Sequence, residues 1–198
     1  MSPRKYDMHR RAAAAEETRR RIVEAARRLH TEQGIAATSY DDIAERAGVG
    51  VGTVYRHFPS LDELVPACGR VVMELVALPD ARAAHELFAD VASAEERIER
   101  LVGEAFAIYD RGAAELSAAR REPDAHPTVA QVAAELEASL AALVDSALEP
   151  LELADIDRRV MRAMLDLSTW QALRDQGLSS PEAVDAVRRL LAARVADD

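Results

Sequence analysis

The 198-residue chain has a single cysteine, Cys68, so it can form neither an internal disulfide nor a zinc site built from several thiolates. That scarcity fits a reducing compartment, and a cytoplasmic protein is expected. Aromatic residues make up only 4 % and β-branched runs are few, which leaves little to favour sheet. No apolar run approaches the ~20 residues that cross a bilayer, and the charged N-terminus holds no signal-like apolar segment, so no membrane partner is expected. A Gly-rich phosphate loop, a nucleophile elbow and an HExxH pair are all missing. Catalysis therefore has no visible carrier, and no cofactor or metal is expected.

Against these absences, 49 % of the residues are apolar, enough for a real core. The abundance of Ala, Leu, Arg and Glu favours helix, so the fold class expected is all-α. The net charge of −10 is unevenly spread. Residues 1–60 hold 11 Lys and Arg against 8 Asp and Glu, whereas the remainder holds 14 against 27. Arg4, Lys5, Arg10, Arg11, Arg19, Arg20 and Arg21 all precede the first helical core, where cationic side chains can approach phosphates.

Periodicity places a first helix at about 16–32, stopped by Gly34, with a flexible basic arm at about 1–15 before it. Ser39 with Asp42 makes a capping-box-like start for a short helix ended by Gly48, and a third short helix spans about 51–58. A fourth follows Pro59, capped by Ser60 with Glu63; Pro66 should kink it or shift its start near Val65. The stretch 80–91 is weakly helical. A clearer helix begins at Ser93 and ends near Asp110 and Gly112, a loop covers 120–127, and a further amphipathic helix reaches Pro150. Two helices complete the chain: about 155–176, then one with Ser180 as N-cap and Pro181 at its first position.

The informative stretch runs from Ser39 to Phe58. Two short helices are joined by three residues, with small Ala44 at their crossing, Gly48 at the turn, and Ile43, Val49 and Val54 as buried contacts. That is helix-turn-helix stereochemistry. The second helix leaves Val51, Gly52, Thr53, Tyr55, Arg56 and His57 outward, small and polar groups rather than a solvating run of Glu and Lys. Hydroxyls on Thr53 and Tyr55 suit phosphate oxygens, Gly52 permits close backbone approach, the helix start offers free N–H groups, and Arg56 suits a guanine edge.

Residues 48–64, Gly-Val-Gly-Val-Gly-Thr-Val-Tyr-Arg-His-Phe-Pro-Ser-Leu-Asp-Glu-Leu, resemble the signature of the TetR family of bacterial repressors. The Arg-rich first helix ending in Gly34 and the Thr38-Ser39 pair before Asp42-Ile43-Ala44 agree with it. The resemblance is specific over about 16–64 and architectural beyond. It implies an N-terminal three-helix DNA-binding domain, residues 1–64, and a C-terminal helical effector-binding and dimerisation domain, residues 65–198. It also implies phosphate contacts from Thr38, Tyr55 and His57, and groove contacts from Val51, Gly52, Thr53 and Arg56. With Arg19, Ser39 and Gly50 these form the candidate DNA-binding set. Three positions depart from the family pattern, which usually has Ser or Thr at Gly50 and Lys at Val51 and Leu61. Two cationic contacts are thereby lost, and Val51 can instead meet a thymine methyl.

The partners implied are double-stranded operator DNA, a second copy of the chain, and a small apolar effector that releases the DNA. Phe106, Tyr109, Met161, Met164 and Trp170 are the candidate effector-lining residues, with plain core packing the competing reading for each. Val184, Val187, Leu190 and Leu191 on the last helix, joined by the wide apolar stripe of 155–176, are the expected dimer face. Two other classes stay open: an effector-independent DNA-binding protein, and a helical ligand-binding module whose head is a remnant. His126 lies near Glu122 and Asp124, but flanking prolines spoil helical ligand spacing, and a surface loop is the better reading.

Overall fold

The computed structural model of the chain describes residues 3–196, in which ten α-helices and one 3-10 turn are found. The expected all-α class is what forms. The chain divides into two compact units, Met1–Val72 with Ser117–Ala133, and Met73–Leu116 with Ala134–Asp198. A boundary drawn at 64/65 leaves the returning segment 117–133 out of the first unit.

In the first unit, α1 spans Pro3–Gln33, so the flexible arm expected at 1–15 is corrected to helix over its described part, 3–15. No glycine or proline interrupts the chain between Arg4 and Gln33, and the run Ala12 to Ala15 has the highest helix propensity available. The side chains of Arg4 and Lys5 lie outside the described residues. Helix α2 (Tyr40–Ala47) opens with the expected capping box, the Ser39 hydroxyl accepting from Asp42 N–H and the Asp42 carboxylate accepting from Ser39 N–H. It closes at Gly48, whose φ of 64° is a left-handed conformation that costs glycine least. Helix α3 (Val51–His57) starts at Gly50 without a side-chain cap, and Phe58 ends it by donating its N–H to the Val54 carbonyl at 2.8 Å.

Helix α4 (Leu61–Val76) runs on through Pro66, where the sequence predicts an irregularity. The carbonyl that Pro66 leaves without an N–H partner belongs to Asp62, an exposed residue of the first turn, so the omission is cheap. The core of this unit joins Ile22, Ala26 and Leu29 of α1 to Ile43, Ala44 and Ala47 of α2, Val54 of α3, Phe58, and Leu64, Ala67 and Cys68 of α4. Burying this many apolar side chains, at about 1.5–3 kcal/mol for each large one, is what holds such short helices together.

The second unit begins with the end of α4 and α5 (Ala81–Leu87), capped by Asp80, which accepts from Ala83 N–H at 2.8 Å. Helix α6 (Ala94–Arg121) passes Gly112, where φ is −158° and ψ 36°, and continues to Arg121. The helix end expected near Gly112 is therefore a kink. A Cβ there would run into Val76, so the glycine allows close packing at the bend. Helix α7 covers Pro127–Leu148.

The single helix expected at 155–176 is two, α8 (Asp155–Met164) and α9 (Leu167–Asp175). Asp166 caps α9 by accepting from Ser168 N–H at 2.9 Å, and the Tyr109 hydroxyl donates to the Leu165 carbonyl at 2.8 Å. Both bonds serve a break rather than a continuing helix. The last helix, α10 (Ser180–Ala196), is capped one residue earlier than expected: Ser179, not Ser180, engages the Glu182 carboxylate through its N–H at 2.7 Å and its hydroxyl at 2.6 Å.

Arginines tie off several helix ends in this unit. Arg97 donates to the Phe88 carbonyl at 3.0 Å, Arg111 to Val76 at 2.7 Å and Arg158 to Leu148 at 2.8 Å. Among the described residues, no helix is long and apolar enough to cross a membrane.

Candidate nucleic-acid interface

Val54 and Phe58 are 0 % exposed and fasten the inner side of α3 to α1 and α2. A seven-residue helix anchored at its middle and its C-terminal end in this way presents what remains: Val51, Gly52, Tyr55 and Arg56 are exposed, and Thr53 and His57 are half-buried. No carboxylate stands on that face. The Arg56 guanidinium reaches no nearer than 3.5 Å to the Thr53 hydroxyl, leaving most of its donors outward.

The Tyr55 ring leans on Tyr40, the first residue of α2, with centroids 4.7 Å apart and planes inclined by 48°. Tyr55 keeps 53 % of its surface exposed, while the Tyr40 hydroxyl is buried without a hydrogen-bond partner. Burial, then the neighbouring Tyr55, Glu63 and Cys68, pushes the Tyr40 phenol above its ordinary pKa. Tyr40 is absent from the set expected at the interface, because its place at the first turn of α2, on a different helix from Tyr55, leaves no periodic signal.

Of the first-helix cations expected as phosphate ligands, Arg19, Arg20 and Arg21 are engaged with the protein itself. Arg19 donates to the His57 carbonyl at 3.1 Å and lies 4.1 Å from the centroid of Phe58, tying α1 to the end of α3. Arg21 donates to the Ala47 carbonyl and, at 3.2 Å, to that of Gly48. Arg20 pairs with Glu17 at 2.8 Å, both well exposed.

Thr38 is half-buried, its hydroxyl donating to the Gly34 carbonyl at 2.7 Å, and the exposed Ser39 heads α2. The turn before them is built around Glu122 of the return segment, a residue noted in the sequence only as a neighbour of His126. Its Oε2 accepts from Ala36 N–H at 2.8 Å. One turn back on α1, His30 is buried, and desolvation lowers its pKa to about 4 against the opposing pull of Glu122. His126 itself sits with Nδ1 3.7 Å from Asp62 Oδ1 and accepts from Thr128 N–H at 3.3 Å. Among the described residues no cluster of three or more His, Cys, Asp or Glu is set to hold a metal.

In the second unit the candidate effector residues partly converge. Phe106 and Tyr109 on α6 stand 6.2 Å apart and Tyr109 and Trp170 6.1 Å apart, a ladder of tilted rings. Phe106, Tyr109 and Met161 are buried, Met164 and Trp170 half-buried, and Trp170 Nε1 is enclosed without a partner. Two open cavities of this unit lie away from that cluster. One of about 350 Å³ runs between α6 and α10 past Gly103, Ala107, Pro181 and Val184. The other, about 560 Å³, is polar and lies by Asp145, Glu149, Arg158 and Arg162.

The expected dimer face also needs correcting. Val187 and Leu191 are 1 % and 3 % exposed, packed into their own unit. The apolar residues left outward are Ile156 and Val160 of α8 and Leu190 of α10. The buried Asp157 of α8 accepts two bonds of 2.7 Å from Arg194 of α10.

Residues 22–68 match the family model described as bacterial regulatory proteins, tetR family. Among curated relatives, the HTH-type transcriptional regulator TtgR of Pseudomonas putida is 51 % identical over 53 residues, covering 27 % of this chain and 25 % of that protein. The chain thus matches such relatives over about a quarter of their length. Solved structures extend the likeness of fold. FadR from Bacillus halodurans, a fatty acid degradation regulator, aligns with a TM-score of 0.63 at 19 % identity over 88 % of this chain and 94 % of its own. The multidrug binding protein EbrR, solved with imidazole, aligns with a TM-score of 0.56 at 26 % identity over 89 % and 93 %.

Proposed function

We propose that this chain, whose residues 22–68 match the TetR family of bacterial regulatory proteins, is a transcriptional repressor of that family that binds a palindromic operator as a homodimer and is released by a small apolar effector. DNA contact is assigned to residues 1–64, and effector binding with dimerisation to residues 65–198. The observation that carries the reading is the carboxylate-free outer face of α3, Val51 to His57, held from behind by the wholly buried Val54 and Phe58.

In this mechanism α3 lies in the major groove. Tyr55, Thr38 and His57 bind phosphates and fix register, while Arg56 reads a base edge and Val51, Gly52 and Thr53 lie against the groove floor. Gly50 lets the helix start approach closely, Ser39 heads α2 at the backbone, and Arg19 adds positive charge behind α3. One seven-residue helix makes too few contacts for operator affinity. Two heads on half-sites one or more helical turns apart supply the rest. Ile156, Val160 and Leu190 are the apolar surface assigned to the partner copy.

The effector is assigned to the neighbourhood of Phe106, Tyr109, Met161, Met164 and Trp170, supported by the apolar and aromatic character of that cluster and by the multidrug binding of EbrR. Release requires that the effector bind one of two head arrangements more tightly than the other. The test is selection of bound fragments from the chain's own genome, followed by duplex titration across salt. Affinity that falls steeply with salt and differs between selected and random duplex supports the reading. No enrichment at low salt rejects it. Apolar ligands that raise the melting temperature and lower duplex affinity identify the release arm.

A further inference from the structure

The entry to α2 is shaped by a side chain that arrives from far along the chain. Glu122 Oε2 accepts the Ala36 N–H at 2.8 Å. Gly34 has a φ of 97°, and a Cβ built on it would stand 2.5 Å from Glu122 Oε1. The carboxylate therefore lies flat on a residue that has no side chain, and any other residue there would meet both the strain and the carboxylate. From this point a continuous set of bonds leads to the interface. The Thr38 hydroxyl donates to the Gly34 carbonyl at 2.7 Å, Thr38 N–H to Ile35 at 3.2 Å, and Gln33 Nε2 to Ala37 at 3.0 Å. Ser39 then hands over to the Asp42 capping box.

Glu122 is itself well placed. Its carbonyl accepts from Ala125 N–H at 3.1 Å in the 3-10 turn Pro123–Ala125. Just beyond, the Thr128 hydroxyl donates to Asp62 Oδ1 on α4, and Gly69 of α4 makes room for Val132. The return segment is thus moored to α4 at two points beyond Glu122.

We infer that Glu122 is a positioning residue for DNA binding: it touches no DNA, and it holds the Gly34 to Thr38 turn so that Thr38 and Ser39 meet the DNA backbone. The inference rests on the DNA-binding reading above and adds to it a residue outside the helix-turn-helix. Its sign is opposite to bulk electrostatics. Removing a negative charge from a DNA-binding surface should tighten binding to phosphates, whereas removing Glu122 should loosen it.

The experiment uses the full chain and a duplex that the wild-type protein enriches from a random-sequence pool. Glu122→Ala should bind that duplex roughly tenfold more weakly, the loss of one charge-assisted hydrogen bond that orders the site. The slope of affinity against salt should stay that of wild type, since no phosphate contact is removed. Glu122→Gln keeps an acceptor for the Ala36 N–H and should recover most of the affinity. Amide exchange at Ala36 should quicken in Glu122→Ala and less in Glu122→Gln, which reads the turn in the folded chain independently of DNA. Equal or tighter binding by Glu122→Ala, or unchanged exchange at Ala36, overturns the inference alone. A wild-type chain that enriches no duplex overturns the DNA-binding reading and this one with it.

Discussion

The ring of Tyr40 backs the ring of Tyr55 at 4.7 Å, so a residue with a buried, unpartnered hydroxyl steadies one that keeps half its surface exposed. The two phenols should respond in opposite ways to loss of oxygen. Tyr40→Phe removes an unsatisfied buried group and should leave stability unchanged or raise it by up to about 1 kcal/mol in urea unfolding. Tyr55→Phe should leave stability alone and weaken binding to every duplex alike through a lost phosphate bond. A Tyr40→Phe chain that is less stable than wild type would mean that its hydroxyl has a partner after all.

In the proposed complex Arg56 is the residue that reads a base edge. Arg56→Ala should lower affinity for the selected operator by about 1–3 kcal/mol while changing random-duplex affinity far less, measured by competition titration at fixed salt. Equal losses on both would move Arg56 from base edge to phosphate.

Stability should depend on His30. Its pKa is lowered to about 4 in the folded chain by burial, against an ordinary value near 6.5 when unfolded. Above the unfolded value both states are neutral and nothing is lost. As pH falls from about 6.5 toward 4 the unfolded chain takes up the proton first, and stability should fall by roughly 3 kcal/mol across that window. Comparing wild type with His30→Asn in urea at a series of pH values isolates the effect, since the variant lacks the difference. Parallel curves for the two proteins would contradict it.

How far these features were readable from the sequence depends on the distance over which each is determined. The Ser39 and Asp42 cap, the Gly48 stop and the Phe58-Pro59 boundary are fixed within four residues and could be read directly. The inward set Ile43, Ala44 and Val54 followed from the spacing of short helices. Counting charge could place arginines near the front of the chain but could not tell where a guanidinium points, and Arg19 and Arg21 turn to carbonyls at the ends of α3 and α2. The break at Leu165 depends on Tyr109, 56 residues away, and the support of Ala36 on Glu122, 86 residues away. Neither separation leaves a trace in local periodicity.

Arg19 illustrates the difference in an experiment. Because it ties α1 to the His57 carbonyl and covers Phe58, Arg19→Ala should destabilise the fold by about 1–2 kcal/mol in urea as well as weaken DNA binding. Lost affinity with unchanged stability would make it a phosphate ligand only.

For the proposed dimer, Val160→Glu, with half its surface exposed, should give a folded monomer by light scattering, and DNA affinity should drop with it. Leu191→Glu, at 3 % exposure, should instead unfold the chain. A wild-type monomer at micromolar concentration removes the assembly altogether.

The support of Ala36 by a residue 86 positions downstream also sets a timetable for synthesis. Translation at ~5–20 residues per second separates the emergence of the two by roughly 4–17 seconds. During that interval the nascent head has its own apolar core but an undocked turn. A chain still being made therefore carries its first helices with the turn before α2 unsupported, and the support arrives only once residue 122 has emerged.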